Sequence, residues 1–245
     1  MTAALEIAVQ DPAGARDAIA AGADRLELCQ ALGVGGLTPS IGLIEATVAA
    51  VGGARVNVLV RPRAGGFVYD RSEIALVSAD ISAAVRAGVG GVVIGALTSD
   101  GRADVPTVRR WRDAAGQATL VFHRAIDAAA DPVAVLEQLR GAGVDRVLTS
   151  GGATRAIDGL ETLARLVEIA EGGAEIMAGG GVRVEDIPAI VATGVGAVHL
   201  SARALAGEDE PSGPGGGTAG HDVTDITVVR AAEAACHTDD ATLSA

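Results

Sequence analysis

The chain has 245 residues, of which 49% are hydrophobic, 20% charged and only 2% aromatic, and its formal net charge is −12. All 19 of its Lys and Arg positions are arginine, so chemistry that needs a lysine amine, such as Schiff-base aldol cleavage or pyridoxal phosphate attachment, is excluded. The negative charge also argues against a nucleic-acid partner, because such a surface repels phosphate backbones.

The sequence contains neither an N-terminal signal pattern nor an uncharged apolar run of about 18 residues. Its two cysteines, Cys29 and Cys236, cannot form a disulfide framework. We therefore expect a cytoplasmic protein with no membrane partner.

Short runs rich in Val, Ile and Leu alternate along the chain with stretches of helical periodicity. Several of these stretches begin with a helix-start signal, either Asp-Pro or a single capping residue. The signals are Asp11-Pro12, Asp131-Pro132, Ser40, Asp70 and Asp104. The runs are LEIAV at 5–9, RLELC at 25–29, VNVLV at 56–60, GVVIG at 91–95, TLVFH at 119–123, RVLTS at 146–150, EIMAG at 175–179 and AVHLS at 197–201.

Eight strand and helix units in succession predict a single-domain α/β fold, the (β/α)8 TIM barrel. We assign residues 1–206 to the barrel core, 207–222 to a flexible loop rich in Gly and Pro, and 223–245 to the last barrel helix and a C-terminal tail. The loop is either a disordered insertion or a lid over the site.

Alternation along the strands predicts that Glu6 and Glu27 point into the barrel. Because an unpaired buried carboxylate is costly, we expect arginine partners, and Arg61, Arg63 and Arg124 lie at strand ends. The two carboxylates form either a structural ion network or acid–base groups or metal ligands.

Two histidines, His123 and His199, also fall near the ends of strands, where barrel enzymes carry their sites. Asp127 either caps the next helical segment or orients His123. The sequence thus predicts proton-transfer candidates His123, Glu27, Glu6 and Asp127. Anion-binding candidates are Arg61, Arg63, Arg124, Ser201 and the turn Gly179, Gly180 and Gly181, with Arg183 or Arg203 completing the contact.

Six motifs, in this order and spacing, resemble the CutC family, which is named for copper homeostasis. They are GGLTPS at 35–40, RPRAGGFVYD at 61–70, FHRAID at 122–127, LTSGG at 148–152, MAGGGV at 177–182 and VHLSA at 198–202. The resemblance implies a (β/α)8 barrel, a cytoplasmic location, a homo-oligomer (dimer or tetramer) and copper binding.

The resemblance also implies a soft-metal site that this chain does not fully retain. Family members commonly carry a cysteine at the position of Ala8 as well as at Cys29, and that pair is the usual proposal for Cu(I). Since Cu(I) prefers at least two soft ligands, a copper site here would use Cys29 with help from His123 or His199.

The residues and the resemblance together lead to two alternative predictions of function. The first is copper binding and copper homeostasis. The alternative is a metal-dependent or His/Glu acid–base lyase, isomerase or epimerase acting on a phosphorylated or carboxylated small metabolite.

Overall fold

The computed structural model describes residues 2–170, 172–209 and 219–237. Eight parallel strands close into a barrel in the order of the sequence, and the first strand pairs with the eighth. All eight predicted strands are present, and no strand end differs from its prediction by more than one residue. The strands are Ala4–Val9 (β1), Arg25–Leu28 (β2), Val56–Leu59 (β3), Gly91–Ile94 (β4), Thr119–Phe122 (β5), Arg146–Thr149 (β6), Glu175–Gly179 (β7) and Ala197–Leu200 (β8).

Five of the helices begin directly after the capping residues that the sequence predicts. Asp11 accepts hydrogen bonds from the backbone N–H groups of Ala13 and Gly14 at the first helix, and Asp70 forms a reciprocal capping box with Glu73 at the third. The helices are Pro12–Ala20 (α1), Ile41–Val51 (α2), Arg71–Arg86 (α3), Val105–Ala115 (α4), Pro132–Leu139 (α5), Leu160–Ala170 (α6), Ile187–Val191 (α7) and Ile226–Cys236 (α8).

The apolar core has two layers, one on each side of the barrel wall. Between strands and helices lie outward-facing residues such as Leu5, Ile7 and Leu26, as the alternation predicts. A smaller cluster fills the middle of the barrel and consists of Cys29, Leu59, Val93, Val121, Leu148, Met177 and Ala197. The fold is therefore the predicted single-domain (β/α)8 barrel.

A short antiparallel hairpin stands between β8 and α8. Its strands are Arg203–Ala206 (β9) and His221–Thr224 (β10). Of the predicted loop at 207–222, residues 210–218 lie outside the described residues, and its last two residues, His221 and Asp222, belong to β10. The division of the chain at 206 and 222, and the choice between insertion and lid, stay predictions. No helix in the described ranges is long and apolar enough to cross a bilayer.

Candidate functional site at the mouth of the barrel

A cavity of about 350 Å³ opens at the C-terminal ends of the barrel strands. Its wall brings together most of the predicted site residues, whereas Glu6, Cys29, Arg63, Asp127 and Gly179 are not part of it. The predicted residues that line it are Glu27, Arg61, His123, Arg124, Gly180, Gly181, Arg183, His199, Ser201 and Arg203.

Glu6 lies below the cavity in a buried network of ions and amides. Its Oε2 accepts a hydrogen bond of 2.8 Å from Asn57 and lies 3.3 Å from Nε of Arg25 and 4.0 Å from Nη1 of Arg146. Both arginines also pair with Glu175 at the lower end of β7. Glu6 is therefore a member of a structural ion network, and its arginine partners are not the strand-end arginines that the sequence suggested.

His199 connects this network to the cavity. Its Nδ1 lies 3.0 Å from Oε1 of Glu6. Burial alone would lower the pKa of His199, but the hydrogen bond to Glu6 and the charges of Glu27 and Glu6 raise it above its ordinary value. Burial alone would raise the pKa of Glu6, yet the hydrogen bond from His199 and the nearby positive charges hold it below its ordinary value. Both shifts therefore favour the charged forms of the pair, imidazolium and carboxylate.

Glu27 has no such compensation. Its side chain is buried, with 6% of the residue exposed, and within the described ranges its Oε2 has no hydrogen-bond partner. Burial is the largest influence on its pKa and raises it to about 7, with the charge of His199 opposing and that of Glu6 adding to the rise. Such a carboxyl group is poised to bind and release a proton near neutral pH.

His123 directly follows β5, and its imidazole faces the cavity. Its Nδ1 accepts a hydrogen bond of 3.1 Å from the backbone N–H of Ala125, so the ring proton lies on Nε2, for which the described residues provide no partner. Burial first, and then the charge of Arg61, lower its pKa to about 3. His123 is thus a neutral hydrogen-bond donor, with no lone pair left to bind a metal or act as a base.

Arg61 and Arg63 were predicted to hold an anion. In the structure their guanidinium groups donate hydrogen bonds to carbonyl oxygens of the surrounding loops. Arg61 donates to the carbonyl oxygens of Val34, Gly35 and Gly36 and, at 2.8 Å, to that of Gly65. Arg63 points away from the cavity and forms an ion pair with Glu73. Arg61 retains a place in the cavity wall, whereas Arg63 does not.

Arg124 lines the cavity and is held in place by neighbouring polar groups. Its Nε donates to Asp127 at 2.8 Å and its Nη2 to Oγ of Ser150 at 3.0 Å. Asp127 also accepts from Thr149 and from the backbone N–H of Ser150. Asp127 therefore neither caps the next helix nor bonds to His123; it positions Arg124 and the loop after β6.

The glycine turn after β7 makes room for this arginine. At Gly180 the backbone has φ = +112°, and a Cβ there would lie 2.6 Å from the Cζ of Arg124. Any side chain would therefore be strained and would displace the guanidinium group. Gly180 and Gly181 line the cavity, but the third glycine of the predicted turn, Gly179, packs against Leu148 and His199.

The predicted copper ligands do not come together. Cys29 is fully buried in the inner apolar cluster, where burial and then the charge of Glu27 raise its pKa. Among the residues that the structure describes, one group could hold a metal ion, and it consists of Glu6, Glu27 and His199, whose ligand atoms lie within 4.8 Å of one another. That set offers oxygen and nitrogen donors and no sulfur.

Several residues of this region were missed by sequence reasoning. Arg25 stands two residues before Glu27 on β2, so the alternation that turned Glu27 inward also turns Arg25 inward. Arg146 and Asn57 follow the same rule on β6 and β3. Phe67 had no such signal, because it lies in a loop; its ring centroid is 5.0 Å from that of His123.

The chain is similar in sequence and in structure to proteins of one family. The sequence profile of the CutC family matches residues 3–204. CutC family proteins from Agrobacterium fabrum and Xanthomonas axonopodis pv. citri are 46% and 44% identical over 187 and 209 residues, covering 76% and 85% of this chain and 74% and 87% of theirs. A solved structure from Streptococcus agalactiae, described as the presumed copper homeostasis protein CutC, has a TM-score of 0.73 at 33% identity and covers 81% of this chain and 98% of that one. The chain is therefore a member of the CutC family.

Proposed function

We propose that the chain binds a phosphorylated or carboxylated small metabolite at the barrel mouth and transfers a proton through Glu27, as a lyase, isomerase or epimerase does. One observation carries the proposal: the carboxyl group of Glu27 is buried and unpartnered in the described structure while it lines a cavity shared with His123 and Arg124.

The physical argument compares Glu27 with Glu6. A buried carboxyl group normally acquires partners, as Glu6 does, because burial of an unpaired charge is costly. Glu27 lacks such partners in the described structure, and its pKa is about 7. A pKa near neutrality suits a group that takes a proton from carbon and returns it. Arg124 supplies the positive charge for an anionic substrate, and the absence of lysine requires that this chemistry proceed without an imine.

Proton abstraction from carbon can be detected without knowing the net reaction. Pools of carboxylated and phosphorylated metabolites are incubated with the protein in D₂O and followed by NMR. We expect one compound to gain deuterium with the wild type and with Glu137→Gln, a control at an exposed glutamate of α5, but not with Glu27→Gln. Absence of exchange in every pool, or equal exchange with Glu27→Gln, contradicts the proposal.

Copper binding is the second candidate, because the Streptococcus agalactiae relative is described as a presumed copper homeostasis protein. The residues do not fit Cu(I): Cys29 is buried away from the cavity, and the sulfur of Met177 lies 3.9 Å from Nη2 of Arg25. The oxygen and nitrogen donors of Glu27 and His199 fit Cu(II) better.

Titration with each oxidation state against a competing chelator tests copper binding. On the copper hypothesis, Cu(II) binds and shows nitrogen coordination by electron paramagnetic resonance that is lost in His199→Phe, while Cys29→Ala binds as the wild type does. Cu(I) binding that depends on Cys29 would contradict this assignment of ligands.

The proposal also includes a cytoplasmic location and a homo-oligomer, either dimer or tetramer. The net charge of −12 supports the expectation that no nucleic acid is bound. Light scattering of the purified protein gives the subunit number directly.

A further inference from the structure

The imidazole of His123 is held in one orientation by three neighbours. The backbone N–H of Ala125 fixes Nδ1, and the ring of Phe67 packs at 5.0 Å. On another side lies Gly95, where a Cβ would come within 2.3 Å of the imidazole. The ring therefore occupies space that only glycine leaves open, and its Nε2–H has a fixed direction.

Arg61 also packs against the ring of Phe67. Its Cζ lies 5.1 Å from the centroid of the Phe67 ring, and the loop carbonyls hold it there. The buried positive charge opposes protonation of His123. The contacts of Ala125, Phe67 and Arg61 therefore favour one form of the His123 imidazole, which is neutral and carries its proton on Nε2.

The next residue, Arg124, offers a second donor. Asp127 and Ser150 occupy Nε and Nη2, and within the described chain no hydrogen bond involves Nη1. The guanidinium group rests on Gly180 at the cavity wall. Two consecutive residues directly after β5 thus present one neutral and one charged donor to the same cavity.

We propose that these donors select a small hydroxy-carbonyl compound with an anionic group, the carbonyl oxygen accepting from Nε2 of His123 and the carboxylate or phosphate group binding to Arg124. His123 is here a hydrogen-bond donor to the oxygen on which negative charge develops, and neither a base nor a metal ligand. The inference rests on the proposed function only for the proton step at Glu27.

The step balances without a further reactant. Ionised Glu27 takes the proton from the carbon next to the carbonyl group, the C–H electron pair forms a C=C bond, and the C=O π pair moves to oxygen. That oxygen then accepts a stronger hydrogen bond from His123. Return of the proton to the opposite face of the same carbon gives an epimer. Return to the neighbouring carbon gives an isomer, provided that the hydroxyl proton of the enediolate passes from its own oxygen to the oxygen that bears the negative charge.

Two stable analogues of such an enediolate serve as probes for binding. Phosphoglycolohydroxamate carries a phosphate group and malonate monohydroxamate carries a carboxylate, so together they identify the anion that Arg124 accepts. We expect one of them to bind the wild type and His237→Phe, a control at a surface histidine, with similar Kd. His123→Phe, which keeps a ring of similar size, should weaken binding roughly ten- to a hundredfold, whereas His123→Gln, which keeps an N–H donor, should restore most of it.

NMR of the protein labelled with ¹⁵N-histidine provides a readout that a merely structural role would not change. The His123 ring should keep its proton on Nε2 between about pH 5 and pH 8, the interval in which an ordinary histidine titrates, and that proton should move downfield when the probe binds. A proton on Nδ1, titration of His123 in this interval, or unchanged binding by His123→Phe would overturn the inference.

Failure of the inference is distinguishable from failure of the proposed function. Glu27→Gln should still bind the probe, because binding does not need the proton step. If deuterium exchange depends on Glu27 while His123→Phe binds normally, only the role of His123 is wrong; if the binding results stand but no exchange depends on Glu27, only the proton-transfer function is wrong.

Discussion

The substitution Glu27→Gln should stabilise the protein, and the gain should depend on pH. The pKa of Glu27 is raised from 4.5 to about 7 in the folded chain, so the folded state holds the proton more tightly than the unfolded state. Stability is therefore lost as pH rises from about 4.5 to about 7 and is constant above that range. At about 1.4 kcal/mol per pKa unit, the cost to the wild type at alkaline pH is about 3 kcal/mol.

Urea denaturation at about pH 5 and about pH 8 measures this difference. The free energy of unfolding of Glu27→Gln should exceed that of the wild type by about 2.5 kcal/mol more at the higher pH than at the lower one, because part of the loss has already occurred at about pH 5. Contacts of the new amide contribute equally at both values and cancel from the comparison. The control Glu137→Gln, on the exposed side of α5, should show no such growth with pH. A gain in stability that is the same at both pH values would refute the argument that burial raises the pKa of Glu27.

Three further substitutions test the elements around the cavity. Glu6→Gln removes the fully buried carboxylate that pairs with Arg25, Arg146 and His199 and should cost about 3 to 5 kcal/mol in chemical denaturation at pH 7. Because the pKa of Glu6 is lowered, this advantage of the wild type should disappear as acid protonates the carboxylate. Gly95→Ala places a methyl group against His123 and should destabilise the fold by about 1 to 3 kcal/mol, whereas Gly42→Ala, with no atom within 4 Å of the new Cβ, should not lower the thermal midpoint. Asp127→Asn replaces by a donor one of the two carboxylate oxygens that accept from Arg124, Thr149, Ser150 and Gly152, and calorimetry should show a loss of about 1 to 3 kcal/mol.

The barrel could be predicted from sequence because its signals are local. Strand runs, Asp-Pro helix starts and alternation each depend on residues close together in the chain, and together they placed every strand. The inward direction of Glu6 and Glu27 followed from the same rule.

The partners of these residues could not be predicted in the same way, because pairing depends on register around the closed barrel. Glu6 on β1 is in register with Arg25 on β2 and with His199 on β8. The sequence does not show the register of either strand pair. Arg61 stands in a motif that favours anion binding, yet loop carbonyl oxygens, including those of Gly36 and Gly65, accept from its Nη1 and Nη2. The state of His123 was equally hidden, since it depends on the backbone N–H of Ala125.

The ion network beneath the cavity also bears on how a proton could leave Glu27. Glu6, Arg25, Arg146 and Glu175 fill the lower barrel, and arginine does not release its proton at accessible pH. On the proposed function, a proton taken up by Glu27 would leave through the mouth of the cavity, past the bound substrate. An isotopic label removed from that substrate would therefore return to it more often than it is lost to solvent.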